Sequence, residues 1–171
     1  MSELAVSNAG PLMVLSKLNV LHLLKELYGK VLIPRAVYNE TVRNGVKYGF
    51  EDAHTLQLFL EQNNWRPQET SSIPKSISSA HLDKGETEAL ALALSNNALL
   101  LMDEELGRAV AREHNLRVKG SLGVLIEAYR TEMISDEQIR FYFSQISRRN
   151  DIWISPKLCN TLLKNLKFSS L

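Results

Sequence analysis

The sequence predicts an α/β fold, three layers deep, with a short central parallel sheet, helices on both faces and extra helices at the C-terminal end. Three observations carry that expectation. Short apolar runs recur at Leu4-Ala5-Val6-Ser7, Val31-Leu32-Ile33 and Leu99-Leu100-Leu101-Met102, and unbroken apolar runs of this length are what strands covered on both faces require. Segments of helical period lie between them, as crossover helices joining parallel strands do. The first and third runs also stop abruptly, at Asn8-Ala9-Gly10-Pro11 and at Asp103-Glu104-Glu105. In open parallel sheets the carboxyl ends of the strands are where sites form.

Taken in order, Leu4–Ser7 is the first strand, and Gly10-Pro11 opens a helix to about Lys17, since proline suits a first helical turn. Val20 to Tyr28 continues as helix until Gly29 stops it. Val31–Ile33 is the second strand, and Pro34 begins a helix through about Asn44, where Asn44-Gly45 and then Tyr48-Gly49 break the pattern. Ala53 to Asn63 is helical, and Trp65-Arg66-Pro67 reads as a short edge strand. Gln68 to Ser79 is Ser/Pro-rich without periodicity and reads as a loop. Gly85 to Ser95 is a strongly apolar helix, Leu99–Met102 the best strand, and Glu104 to His114 the helix after it. Leu116–Val118 is a last strand, followed by helices over Ser121–Thr131, Asp136–Arg149 and Ser155–Leu166. No internal repeat appears.

Bulk properties narrow the function classes. A chain of 171 residues fits one domain with a good-sized core, here read as a core to about residue 131 and a helical extension over about 132–171. Its 44% hydrophobic and 23% charged residues are ordinary for a globular protein. The net charge of +1 neither announces nor excludes nucleic acid, because local patches matter more than the sum. The single cysteine, Cys159, rules out an intrachain disulfide and a thiolate cluster, and reads as a small core or interface residue of the last helix. No signal peptide opens the chain and no apolar run is long enough to span a bilayer, so a cytoplasmic protein is expected. His22, His54, His81 and His114 lack metal-ligand spacing. Neither a Gly-rich phosphate loop nor a nucleophile elbow is present.

The acids at the strand ends have to be weighed one by one. Asp103 can cap the following helix, with Glu104 and Glu105 complementing its dipole, or it can be a metal ligand, and the two roles coexist. Glu40 lies near the apolar stripe of its helix, with Val37 and Ala36 behind it; a solvated position is the plain alternative. Asp83 and Glu86 have capping-box spacing, which gives Glu86 a structural task. Glu88, two residues on, is turned to the opposite side of the helix and leads into an unbroken apolar run, where a buried carboxylate needs compensation such as a cation. Glu88 is therefore preferred as ligand and Glu86 held as the fallback. Asn8 is a good turn or N-cap residue and, as a ligand, offers a neutral carbonyl oxygen. Singly these signals are weak. Together, acids at strand ends and first helical turns of one sheet, with no soft ligand nearby, point to Mg²⁺ or Mn²⁺.

The ordered segments SNAGPLMVLSKLNVLHLLKELYGKVLIPRAVYNETV, LDKGETEALALAL, LLMDEELGRAVAREHNLRVKGSLGVLIEAYRTEMI and WISPKLCNTLL resemble PIN domains, the compact α/β/α nucleases that include VapC-type toxins. More narrowly, the chain looks like the prokaryotic subfamily described as predicted nucleic-acid-binding proteins containing a PIN domain. The resemblance covers most of the chain outside residues 45–80. It implies a PIN-like fold and a Mg²⁺/Mn²⁺-dependent endoribonuclease acting on RNA. By matching position, Glu40 falls on the acid after the second strand, Glu88 on the acid opening the apolar helix and Asp103 on the acid ending the fourth strand. Glu105 falls on an auxiliary acid, with Glu104 as its alternative, and Ser121 on a hydroxyl at the rim.

Asn8 departs from the pattern, because the family usually has aspartate there as a principal metal ligand. Losing that charge is expected to lower metal binding and turnover by ~10- to 100-fold or more. The resemblance also implies a toxin–antitoxin pair with a small antitoxin as partner. A catalytically degenerate module that binds nucleic acid or protein without cutting is the competing class. The C-terminal third is locally basic through Arg140, Arg148, Arg149, Lys157, Lys164 and Lys167, which could track a phosphate backbone but individually read as solvated helix faces. Phe141, Tyr142, Phe143 and Ile146 read as helix packing or a homodimer surface.

Overall fold

The computed structural model describes residues 2–168. Five strands, β1 (Ala5–Ser7), β2 (Val31–Pro34), β3 (Pro67–Gln68), β4 (Leu99–Leu101) and β5 (Val118–Lys119), form one sheet in the order β3-β2-β1-β4-β5. Every pairing is parallel. The expected α/β sheet with helices on both faces is what the chain forms. β1, β4 and the ends of β2 are buried, which explains their unbroken apolar sequences.

The strand order reverses at β1: the chain moves one way from β1 to β2 and β3, then crosses to β4 and β5 on the other side. Right-handed crossovers put the connecting helices of the two halves on opposite faces. On one face, α1 (Ala9–Lys17) meets α5 (Glu51–Gln62), with α2 (His22–Tyr28) against β2. On the other, α7 (Lys84–Asn96) lies across β1, β2 and β4 and touches α8 (Glu105–Glu113). That layer is a continuous apolar core of Val6, Leu90, Ala93, Leu100, Met102 and Val110, among others. The chain forms two compact units, residues 1–121 and 122–171. The second contains the remainder of α9 (Ser121–Arg130) with α10 (Asp136–Arg148) and α11 (Pro156–Asn165), the last two packed on each other. Cys159 is buried in α11. Among the described residues no helix is long and apolar enough to cross a membrane.

Four local expectations are corrected. The helix after Pro34 does not break at Asn44-Gly45: α3 (Arg35–Tyr38) runs into a π-helical segment, Asn39–Asn44, and then α4 (Gly45–Lys47). Gly45 has ordinary helical angles and is a packing glycine, since a Cβ there would overlap that of Ala53 in α5. The true stop is Gly49, at φ +78°. The edge strand lies two residues later than expected, and Trp65 is instead buried with its ring edge-on to Phe59. The Ser/Pro-rich segment holds a short helix, α6 (Lys75–Ser78), whose Ile77 is fully buried in the α7 core layer. Finally, the residue that precedes α8 is Glu104 rather than Asp103, and its side chain makes no capping bond.

Candidate functional site

Sheet register brings the first two groups together. Ser7 of β1 lies opposite Leu101 of β4, so Asn8 and Met102 come next, with Asp103 one step further. The Asn8 backbone N–H donates to Leu101 O at 2.9 Å, which extends the ladder by one bond and fixes the residue. Asn8 is extended (φ −77°, ψ 176°) at the start of α1, yet its side chain does not cap that helix. Its Nδ2 donates instead to Glu104 Oε2 at 3.1 Å. The residue is 3% exposed, and Oδ1 is buried without a hydrogen-bond partner. Leaving a buried oxygen unsatisfied costs on the order of 1–3 kcal/mol, so such an atom calls for a specific explanation, a bound ion among them.

Two bare glycines mark where the oxygens gather. A Cβ on Gly85, in the first turn of α7, would stand 3.1 Å from Glu40 Oε2, 3.4 Å from Asp83 Oδ1 and 3.5 Å from Asn8 Oδ1. A Cβ on Gly10, in the first turn of α1, would stand 3.1 Å from Asp103 Oδ2 and 3.5 Å from Glu104 Oε1. Oxygens from β1, the π segment, α7 and the β4–α8 junction thus come together around backbone that carries no side chain of its own. The π segment matters because it carries Glu40. Thr41 Oγ donates to Val37 O at 2.8 Å, a local bond of the kind that competes with regular helix bonding, and single π turns recur at functional positions.

Asp103 is held from the far side. Ser121 N–H donates to its Oδ1 at 2.7 Å and Ser121 Oγ–H to its Oδ2 at 2.6 Å. Ser121 is the first residue of α9, so the carboxylate also meets the positive end of a helix dipole. Gly120 makes this approach possible, because a Cβ there would stand 2.8 Å from Asp103 Oδ1 and 2.9 Å from an Arg108 guanidinium nitrogen. Asp83 caps α7 with the full box: its Oδ1 accepts from Glu86 N–H at 2.8 Å while Glu86 Oε2 accepts from Asp83 N–H at 3.1 Å.

This concentration of carboxylates has a measurable electrostatic consequence. Glu40 is pushed above the usual glutamate range, first by burial and then by the charges of Asp83, Glu104 and Glu86. Glu86 is raised too; burial leads, the Asp83 backbone hydrogen bond works against it, and the Asp83 and Glu104 charges add to it. Helix N-termini at Asp83, Glu104 and Ser121 offset part of the repulsion, but a proton or a cation relieves it further. Among the described residues, no three His, Cys, Asp or Glu side chains form a ready metal-holding group. Asp83 and Asp103 spend oxygens on backbone N–H groups. The donors are nonetheless all oxygen, and the orphaned Asn8 Oδ1 beside Glu40 and Asp83 fits a hard divalent cation.

Of the residues singled out in the sequence, Asn8, Glu40, Asp103 and Ser121 stand in this arrangement, and Glu86 acts on Glu40 from the edge. Glu88 is buried, and its Oε2 accepts from Ala36 N–H at 2.8 Å, satisfying an otherwise open donor at the start of α3. Glu105 is an exposed partner of Arg112, at 3.0 Å, and of Arg108. Two members were not chosen as ligands in the sequence. Asp83 gave a signal, since a capping box puts its first acid at a helix start beside whatever lies there; Glu104 was indistinguishable from Glu105 without the helix phase.

The profile of a family described as a PIN domain matches residues 4–167. No curated protein matches the chain.

Proposed function

The chain belongs to the PIN-domain family, and from that premise we propose that it is a divalent-metal-dependent endoribonuclease weakened by one amide. The family gives a nuclease-type or nucleic-acid-binding function. The observation that carries the sharper reading is the buried, unpartnered Asn8 Oδ1, which shares the space beside Gly85 with oxygens of Glu40 and Asp83.

Mg²⁺ or Mn²⁺ would supply an activated water and neutralise charge developing on a phosphodiester. Asn8, Glu40, Asp103 and Glu104 are the residues to hold it, with Asp83 beside them. Glu88 has one oxygen committed to Ala36 and a second to offer, and Glu105 is the auxiliary acid of the family pattern. Ser121 fixes both oxygens of Asp103, so that ligand loses little freedom on binding. Burial and the neighbouring carboxylates disfavour the charge on Glu40 in the metal-free protein, a conflict that a bound cation would relieve. Asn8 contributes shape and a carbonyl oxygen but no charge. RNA is the substrate on this reading. The protein then has the toxin's part in a toxin–antitoxin pair, with a small antitoxin as partner and a homodimer in the cytoplasm as its working form.

The test is cleavage of a mixed RNA panel in Mn²⁺ by the parent chain, Asn8→Asp and Asn8→Asp/Asp103→Asn. Cleavage raised by Asn8→Asp and abolished by the second change supports a nuclease restrained at Asn8. The lack of a ready three-acid group among the described residues favours one alternative, a binding module that does not cut. That alternative takes over if the well-folded Asn8→Asp protein leaves every RNA intact.

A further inference from the structure

In the second unit a groove of about 260 Å³ runs between α10 and α11. Its wall includes Arg140, Ser144, Ser147, Arg148 and Asn160, and Cys159 lies at its base. Arg140, Ser144 and Arg148 follow one another at four-residue steps, which on a helix makes a single stripe about 12 Å long. The polar groups on that stripe are donors suited to phosphate oxygens. Burial pushes the Cys159 thiol up, so the base of the groove brings no negative charge.

The charge around the groove is cationic toward its Arg148 end. From residue 138 to the end the chain has six Lys or Arg and one Asp, although its overall net charge is +1. That one acid, Asp151, is already bonded through both oxygens to Arg149, at 2.8 and 2.7 Å. The other acids of α10, Asp136 and Glu137, sit in its first turn, one helical turn from Arg140 and at the far end from Arg148. Arg148 is exposed and has no acidic partner among the described residues. The Arg140 guanidinium is stacked 3.6 Å from the Phe168 ring centroid, which restrains it at the other end.

Beside the Arg148 end is Trp153, in the α10–α11 connection and 94% exposed. It is not a loose side chain: its Nε1–H donates to Asn150 O at 3.1 Å, which leaves the indole presented to solvent. A tryptophan so exposed offers a large stacking surface, and its sequence neighbours Arg148 and Lys157 are exposed cations. Cationic grooves that end in an aromatic platform are how proteins hold single-stranded nucleic acid without reading sequence.

We propose that the α10–α11 groove and Trp153 form a binding surface for single-stranded RNA, with phosphates along Arg140 and Arg148 and a base stacked on the indole. This rests on the reading that the chain handles RNA, and adds where a strand is gripped apart from the acidic site. The test is titration of a short oligouridylate into the full chain in EDTA, followed by anisotropy and tryptophan fluorescence. Trp65 is 5% exposed and packed on Phe59, so quenching on binding reports Trp153.

Trp153→Ala is expected to weaken binding about 10-fold or more and to abolish the quenching, while Trp153→Phe restores part of the affinity. Arg148→Gln is expected to flatten the salt dependence by about 0.7 in log–log slope. Both positions are exposed, so neither change threatens folding. Unaltered RNA affinity in Trp153→Ala and Arg148→Gln overturns the proposal. So does a Trp153→Ala protein that binds RNA normally but loses self-association, which would make the surface a protein contact. Cleavage and gripping fail separately: an Asn8→Asp protein that binds but does not cut ends the nuclease reading only, and one that cuts despite Trp153→Ala with unchanged binding ends this one.

Discussion

At the scale of single residues, the acidic site holds a conflict that pH exposes. Glu40 and Glu86 are both raised by burial and by neighbouring carboxylates. A group whose folded-state pKa exceeds its unfolded value binds its proton more tightly when folded, so its stabilising contribution is complete below the unfolded pKa and is lost as pH rises through the folded one. In the metal-free protein, ionising these two acids as pH rises therefore comes at a cost. Glu40→Gln removes one charge with little change of shape. Because exposed charge interactions are worth about 0.2–1 kcal/mol, and each kcal/mol moves a chain of this size by about 2–4 °C, its expected effect is a Tm higher by roughly 1–3 °C at pH 7. The gain should fade on acidification through the raised glutamate range. Thermal melts of the two proteins across pH, in EDTA, check this; a variant less stable than the parent at pH 7 would mean that Glu40 is a stabilising partner and that the crowding is not felt.

At the scale of elements, the site depends on helix starts that are packed closely enough to exclude side chains. Gly120 is the tightest case at the site, since a Cβ would press on both Asp103 Oδ1 and Arg108. Gly120→Ala is expected to push Asp103 off its two Ser121 bonds and to cut Mn²⁺ affinity by about 10-fold or more, in the range seen when groups that orient ligands are lost, while circular dichroism stays native. Calorimetric Mn²⁺ titration measures it, and unaltered affinity would show that Asp103 does not need that seat. A second element supports the site from below: Ile77 of α6 anchors the Ser/Pro-rich segment, and Ile77→Ala should cost about 2–5 kcal/mol in chemical denaturation, far more than a mobile loop would. These elements also show what could be read from the sequence. Parallel strands and the meeting of Asn8 with Asp103 were legible, because strand composition and the carboxyl-end rule are set by short-range sequence. Gly45 was not, because Asn-Gly signals a turn locally and only the closeness of Ala53 in α5 makes it a helix-packing glycine. Nor was Ile77, one apolar residue in a polar segment whose burial depends on α7. The choices between Glu104 and Glu105, and the approach of Asp83 to Asn8, rest on helix phase and tertiary contact.

For the whole molecule, metal and folding are one equilibrium, and Asn8 sets how strongly they are joined. A ligand that binds only the folded chain stabilises it by RT ln(1 + [L]/Kd), about 2.7 kcal/mol at a hundredfold excess over Kd, which is on the order of 5–10 °C for a protein of this length. With an amide at position 8, Mn²⁺ meets one fewer charge, so millimolar ion is expected to shift Tm only slightly. Asn8→Asp changes both sides of the balance. Without metal it adds a buried carboxylate among Glu40, Asp83 and Glu104 and loses the Nδ2–Glu104 bond, so Tm should fall below that of the parent chain. With Mn²⁺ the same carboxylate becomes a ligand, and Tm should rise above it. The two melting curves are therefore expected to exchange order between EDTA and millimolar Mn²⁺, and Asp103→Asn in the Asn8→Asp background should remove the metal response. If Asn8→Asp is destabilised equally in both solutions, no ion is held at this place. The acids would then be a feature of helix starts alone, and the RNA-gripping surface of the second unit would be left to carry the function.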